Sequence, residues 1–249
     1  MYGGIKMAIK IVNLRKEYDD VVAVNNLNLE INDGELFSLL GVNGAGKTTT
    51  IKMLSTLIKP TSGDAYINGF SILKDEDKIK ELIDISMQET AIARKLTVDE
   101  NIEFYASLSG QTKEEIIENK KYLYNVFGLD QVKDKLACKL SGGWQRKLSI
   151  ALALVTKPKI LFLDEPTLGL DVIARRELWK TIKSLKGKMT IILTTHYMEE
   201  AQELSDRIGI MKNGDLLFVG KKEKLYELTN KSNVEEAFVN IVSGGELDV

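Results

Sequence analysis

The chain has 249 residues, 44% of them hydrophobic, and its 34 lysines and arginines nearly balance 36 aspartates and glutamates. That length suits one large domain, with or without a subdomain, and argues against two independent ones. A net charge of −2 without a basic cluster argues against nucleic acid as a partner, because neutralising about six or more phosphates requires a visible stripe of lysine and arginine.

The single cysteine, Cys138, cannot form an internal disulfide, which fits a reducing compartment, and it reads as a small buried filler. No run approaches the roughly 18 consecutive apolar residues of a membrane-crossing helix. Met1–Met7 lacks the apolar core of a signal peptide. Any membrane role is therefore expected to rest on another chain. No internal repeat or low-complexity tract is evident.

In chain order, Ala8–Leu14 and Leu27–Ile31 partly alternate apolar and polar residues and predict strands. Tyr18, between them, offers an aromatic face that can stack on an adenine ring, although a tyrosine at a strand end more often packs. Leu36–Leu40 is an apolar run behind Gly34, as a buried parallel strand should be. It leads into Gly41-Val42-Asn43-Gly44-Ala45-Gly46-Lys47-Thr48-Thr49, which fills every fixed position of the phosphate-binding pattern G-x-x-x-x-G-K-S/T. Thr48–Leu57 predicts the helix behind it. Gly41, Gly44 and Gly46 permit backbone conformations that turn successive N–H groups inward, with Asn43, Ala45 and Thr49 part of the same cradle. Lys47 supplies a mobile charge for the outer phosphates, and the Thr48 hydroxyl is placed to ligate magnesium.

Thr61–Gly69 reads as turn, strand and turn, and Lys74–Glu81 as a solvated helix. Ile83–Met87 predicts another strand, with Gln88 at its C-terminal end, where parallel α/β sheets bind ligands. Gln88 is thus a candidate to hold a metal or a water. Thr97-Val98-Asp99-Glu100 and Thr112-Lys113-Glu114-Glu115 are capping boxes opening two helices. Ile116, Ile117, Leu123, Val126 and Phe127 follow at helical spacing. In Leu140–Ala151, Ser141 can cap a helix whose first N–H groups Gly142 and Gly143 leave open to an anion. That makes a second phosphate site.

At this point the chain resembles the ATPase subunits of ATP-binding-cassette (ABC) transporters, whose signature begins Leu-Ser-Gly-Gly. Trp144 stands where glutamine is commonest, and Val42 replaces a frequent proline; neither removes a phosphate donor. The resemblance runs from about Ile9 to about Gly220. It implies that Asp164, at the end of the apolar strand Ile160–Leu163, holds magnesium through water, while Glu165 polarises the attacking water as general base. It implies that Pro166–Asp171 is a dimer-contact loop, although Asp171 equally suits the N-cap of the helix near Ile173. His196, the only histidine, ends the buried strand Thr190–Thr195 and resembles the family's switch histidine at the γ-phosphate. Ile208–Met211 and Leu216–Val219 around Asn213-Gly214 predict a hairpin. Beyond Gly220 the chain reads as charged helix, with a loose tail from Ser243 to Val249.

The expected fold is a P-loop NTPase (RecA-like) α/β core with a parallel sheet, an antiparallel β edge subdomain and an inserted all-helical subdomain. Residues 1–90 and 157–225 would form the core and edge, 91–156 the helical part, and 226–249 a C-terminal extension. The resemblance implies two ATP molecules with Mg2+ between two head-to-tail copies, or a copy and a related ATPase. It further implies a separately encoded integral membrane subunit and a place on the cytoplasmic face of the membrane. Thr48–Leu54 and Leu96–Asn101 look like the exporter branch that handles drugs, sodium or polysaccharides. The alternative is a soluble ABC ATPase acting on ribosomes or DNA, which would usually carry two cassettes or a long coiled coil.

Overall fold

A computed structural model describes residues 6–244, so most of Met1–Met7 and the tail beyond Gly244 lie outside the described residues. Among these residues, no helix is long and apolar enough to cross a membrane. The N-terminal half comprises β1 (Met7–Tyr18), β2 (Val21–Asn32), β3 (Leu36–Leu40), α1 (Lys47–Leu54), β4 (Ser62–Ile67), β5 (Phe70–Ser71), α2 (Glu76–Lys80) and β6 (Ile83–Ser86). The helices α3 (Val98–Leu108), α4 (Lys113–Phe127) and α5 (Gly142–Ala153) follow. The chain then forms β7 (Ile160–Asp164), α6 (Val172–Leu185), β8 (Thr190–Thr195), α7 (Met198–Leu204), β9 (Arg207–Lys212), β10 (Asp215–Gly220), α8 (Lys222–Thr229) and α9 (Val234–Ser243).

Six strands form the central sheet in the order β10-β9-β3-β8-β7-β6. All neighbours are parallel except the β9–β10 hairpin. Strands β3, β7 and β8 are buried at every position, because layers cover both faces; this is why they read as unbroken apolar runs. Alternation survives inside them. Ile160 and Phe162 pack with α1 and the edge sheet, while Leu161 and Leu163 pack with the helical layer.

The second sheet, β2-β1-β4-β5, is antiparallel. Its first two strands run further than expected, pairing from Met7–Asn32 to Tyr18–Val21 with several register shifts. Asn13 (φ 48°) and Asn26 (φ 44°) take left-handed conformations within these strands, which bends the ribbon and breaks the strict alternation. The β9–β10 turn, Asn213 (φ 49°) and Gly214 (φ 85°), joins the two sheets. Asn25 N donates to Gly214 O at 2.9 Å, and Gly214 N donates to Ala45 O at 3.1 Å. The phosphate loop and the edge sheet are thereby fixed to one turn.

Both predicted capping boxes are present, at Thr97/Glu100 and Thr112/Glu115. Ile116, Leu123 and Phe127 face inward, but Ile117 is exposed at 67%, because one step along a helix rotates a side chain by about 100°. Helix α1 stops at Leu54, short of Leu57: the Ser55 hydroxyl donates back to Ile51 O at 2.8 Å, and Thr56 turns left-handed at φ 60°. Cys138 is exposed; in its short turn Ala137 takes the inward position. Ser243 closes α9, and Gly244 caps it.

Candidate functional site

The phosphate loop is built by close backbone approach. A Cβ on Gly41 would lie 2.5 Å from Met211 O, and one on Gly46, at φ 102°, would lie 2.4 Å from Ala23 O. Only glycine fits these two positions. Gly46 is the N-cap of α1 and offers no side chain, so the first amides of the helix stay open to an anion. Lys47, 5% exposed, donates to Gly41 O at 2.7 Å and Val42 O at 3.1 Å. Its ammonium also lies 3.3 Å from Glu165.

These groups open onto a cleft of about 660 Å³ whose wall includes Gly44–Thr49, Tyr18, Gln88, Glu165 and His196. Tyr18 is 45% exposed at the end of β1, with the Lys16 ammonium 5.0 Å from its ring centre. The Thr48 hydroxyl lies 3.0 and 3.1 Å from the two Asp164 oxygens, to which it donates. Thr48, Asp164 and Gln88 are hard oxygen donors of the kind magnesium takes. The described residues hold no group of three or more His, Cys, Asp or Glu suited to a metal. The set therefore fits a magnesium ion completed by substrate phosphates and water rather than a protein cage.

Glu165 occupies a left-handed conformation, φ 48°. Its N–H is held by Thr194, donating to the carbonyl and the hydroxyl at 3.1 Å each. Its carboxylate, 7% exposed, stands 2.6 Å from His196 Nδ1. An imidazole facing an ionised carboxylate carries its proton on that nitrogen. The carboxylate is thus steered from two sides, by an ammonium and an imidazole, at the rim of the cleft.

Four residues the sequence did not single out complete this architecture. Thr194 Oγ1 donates to Asp164 Oδ1 at 2.5 Å. Thr167 Oγ1 donates to Glu200 Oε1 at 2.8 Å, which ties the loop after Glu165 to the helix after His196. Burial drives the Glu200 carboxyl above its usual range, with Glu165 adding to the shift, while hydrogen bonds from Thr195, Thr167 and Trp179 oppose it. Arg146 lies 4% exposed on α5, and burial lowers its pKa to about 10 against the raising pull of Asp164 and Glu200. A charged residue three positions past Gly143 reads locally as solvated helix, and only its long-range partners distinguish it.

The second group of predicted residues is elsewhere. Ser141 occupies the N-cap position of α5, but its side chain makes no cap bond and is exposed; the expected capping hydrogen bond is absent. Neither Ser141 nor Gly142 nor Gly143 lines this chain's own cleft. Asp171 does cap α6, accepting from Ile173 N and Ala174 N at 2.9 Å each, and it too lies off the cleft.

A separate groove of about 340 Å³ runs between β6 and α5, lined by Leu57, Ile85, Met87, Tyr105 and Leu152, with Asp84 at its edge. Burial raises the Asp84 pKa to about 6, against opposing hydrogen bonds from Ile85 N and Thr156. A carboxyl raised from 3.8 to about 6 costs the fold stability as pH rises through that window and deprotonates the group. The full cost above the window is about 1–3 kcal/mol. Asp84→Asn is expected to raise Tm over the parent by on the order of 5 °C at pH 7.5, with little difference at pH 4. Melting curves at the two pH values check this, and an equal difference at both would refute it.

Residues 24–168 match the family described as ABC transporter. The chain belongs to that family. Its relatives in that family include ATPases and ATP-binding subunits. It is 44% identical over 216 residues to the phospholipid-transporting ATPase ABCA3 of Homo sapiens, covering 85% of this chain and 13% of that protein. The chain spans between 13% and 30% of the length of the curated relatives it matches. Among solved structures it superposes on an ATP-binding subunit of an ABC transporter with a TM-score of 0.83, at 25% identity, covering 94% of this chain and 99% of that one. A dimeric ATP-binding cassette in a post-hydrolysis state with ADP and Pi gives a TM-score of 0.76 at 28% identity, covering 86% of this chain and 98% of that one.

Proposed function

We propose that two copies of this chain pair head to tail, each ATP being held between Lys47 and its glycine cradle on one copy and Ser141–Gly143 on the other. The observation that carries this reading is the position of Ser141, Gly142, Gly143 and Asp171 off the cleft that Lys47 and Glu165 share. A helix N-terminus with free amides and an uncommitted serine hydroxyl suits an anion delivered from outside the chain. That a similar cassette is dimeric with ADP and Pi bound supports the pairing of two copies.

In this reading Gly41, Asn43, Gly44, Ala45, Gly46, Lys47 and Thr49 hold the phosphates, and Tyr18 stacks on the base. Thr48, Asp164 and Gln88 are the residues that would hold magnesium, which supplies charge neutralisation at the phosphate oxygens when bound. Glu165 takes a proton from the attacking water, His196 orients Glu165 and contacts the outer phosphate, and Asp171 shapes the loop that meets the partner. The core (1–90 and 157–225), helical part (91–156) and extension (226–249) move as parts of one cassette.

Closure on ATP is transmitted through the groove bordered by Met87 to a membrane-spanning partner, placing the cassette at the cytoplasmic face of the membrane. That this partner is separately encoded rests on the resemblance to ATPase subunits alone. The exporter direction rests on the wording around Lys47 and Leu96–Asn101. The phospholipid-transporting relative makes a lipid the first cargo class to test.

Gly142→Phe fills the space above the free amides. It is expected to abolish ATP-dependent dimerisation and reduce turnover at least tenfold, read by sedimentation and phosphate release. Ser141→Ala should lower turnover more mildly. Intact dimerisation and turnover in both variants would refute the shared site, and co-purification with ribosomes or DNA instead of a membrane protein would refute the transport assignment.

A further inference from the structure

Arg146 sits one turn into α5, the helix whose N-terminus carries Ser141. Its guanidinium is buried and makes no ion pair with a carboxylate. Instead it spreads its donors over main-chain carbonyls from two other segments. Nε donates to Pro166 O at 2.8 Å and Nη2 to Asp164 O at 2.9 Å. Nη1 donates to Met87 O, with a longer contact to Gln88 O at 3.4 Å.

A guanidinium is a rigid planar fork, so the directions of its N–H bonds fix the relative placement of everything they hold. Here they hold the end of β6 that presents Gln88 and the turn after β7 that presents Asp164 and Glu165. The carrier is α5, whose N-terminus, one turn before Arg146, offers amides to a second nucleotide. An ordinary buried side chain at this position would pack against the same segments without setting their register, and an uncompensated charge would be costly. Carbonyl dipoles from both segments satisfy it only when the three parts stand as they do.

We propose that Arg146 is a positioning residue that couples the two half-sites of one chain: nucleotide engagement at the N-terminus of α5, through the guanidinium one turn along it, sets the placement of Gln88, Asp164 and Glu165 in the Lys47 cleft. The inference rests on the shared-site reading above. It makes the two ATP molecules of a dimer act on each other through α5, without direct contact between them.

The test is Arg146→Lys, which keeps the charge and offers a single donor head where three branches are needed. Against wild type, it is expected to bind ATP at the Lys47 loop within about twofold and to form the ATP dimer when combined with Glu165→Gln. Its kcat should fall about tenfold, and the Hill coefficient for ATP hydrolysis should drop toward 1. Wild-type cooperativity and kcat in the variant would overturn the coupling alone. A wild type that neither dimerises with ATP nor shows cooperativity would overturn the shared-site reading beneath it. If the variant melts far below wild type, hydrogen exchange on the dimer-blocked Gly142→Phe chain decides. ATP at the Lys47 loop is expected to slow exchange of the α5 amides at least threefold, and no change there would overturn the proposal.

Discussion

Glu165→Gln is expected to lower ATP turnover by about 10²–10⁴-fold while leaving ATP binding intact. The substitution keeps size and shape in a site only 7% exposed, and the amide oxygen still accepts from His196 Nδ1, 2.6 Å from the carboxylate it replaces. What it removes is basicity toward the attacking water. It also removes the negative charge 3.3 Å from Lys47, which frees the ammonium for phosphate. The variant should therefore accumulate as an ATP-bound dimer. Single-turnover hydrolysis and sedimentation with ATP measure the two halves of the expectation. Normal hydrolysis would remove Glu165 as the base.

Lys47→Ala acts one step earlier. The ammonium is nearly buried, anchored on Gly41 O and Val42 O, and is the cation the phosphate loop itself carries. Removing it costs ATP binding about 2–5 kcal/mol, on the scale of a buried charged hydrogen-bond partner. The dissociation constant should rise at least 30-fold, measured by titration with a fluorescent ATP analogue. Gly41 and Gly46 pack closely on the main chain of Met211 and Ala23, contacts that Lys47→Ala leaves in place, so the fold should persist. Unchanged affinity would count against the assignment of this loop to phosphate. The contrast between the two variants separates holding the nucleotide from cleaving it.

The parts of the fold most legible in the sequence were those whose cause is local. Continuous apolar runs gave β3, β7 and β8, two capping boxes gave the starts of α3 and α4, and the glycine spacing gave the loop at Lys47. The full length of β1 and β2 was not legible, because left-handed Asn13 and Asn26 interrupt the period-2 pattern that marks a half-buried strand. Cys138 was misread as buried for a related reason: composition states how much must be buried, and the neighbours decide which residue it is. In the candidate site, Lys47, Thr48, Gln88, Glu165 and His196 line one cleft and Asp164 bonds to Thr48 beside it; for Asp164, Glu165 and His196 it was the family resemblance, not local spacing, that suggested the grouping. The hydroxyl of Thr194, the Thr167–Glu200 bond and the carbonyl contacts of Arg146 were invisible, since each joins segments distant in sequence. The exposed, uncapped Ser141 was misread because a serine before a helix usually bonds its own backbone, and here it does not.

The left-handed backbone at Glu165 has an evolutionary side. A non-glycine residue at φ 48° raises the energy of the folded state by roughly 1–2 kcal/mol. Glycine would relieve that strain, but it would leave the buried Lys47 ammonium without the carboxylate 3.3 Å away, a loss larger than the strain relieved, and would remove the base of the proposed reaction. The strain at position 165 is thus held in place by the charges around it, and a heat-adapted descendant must find its added stability elsewhere in the chain.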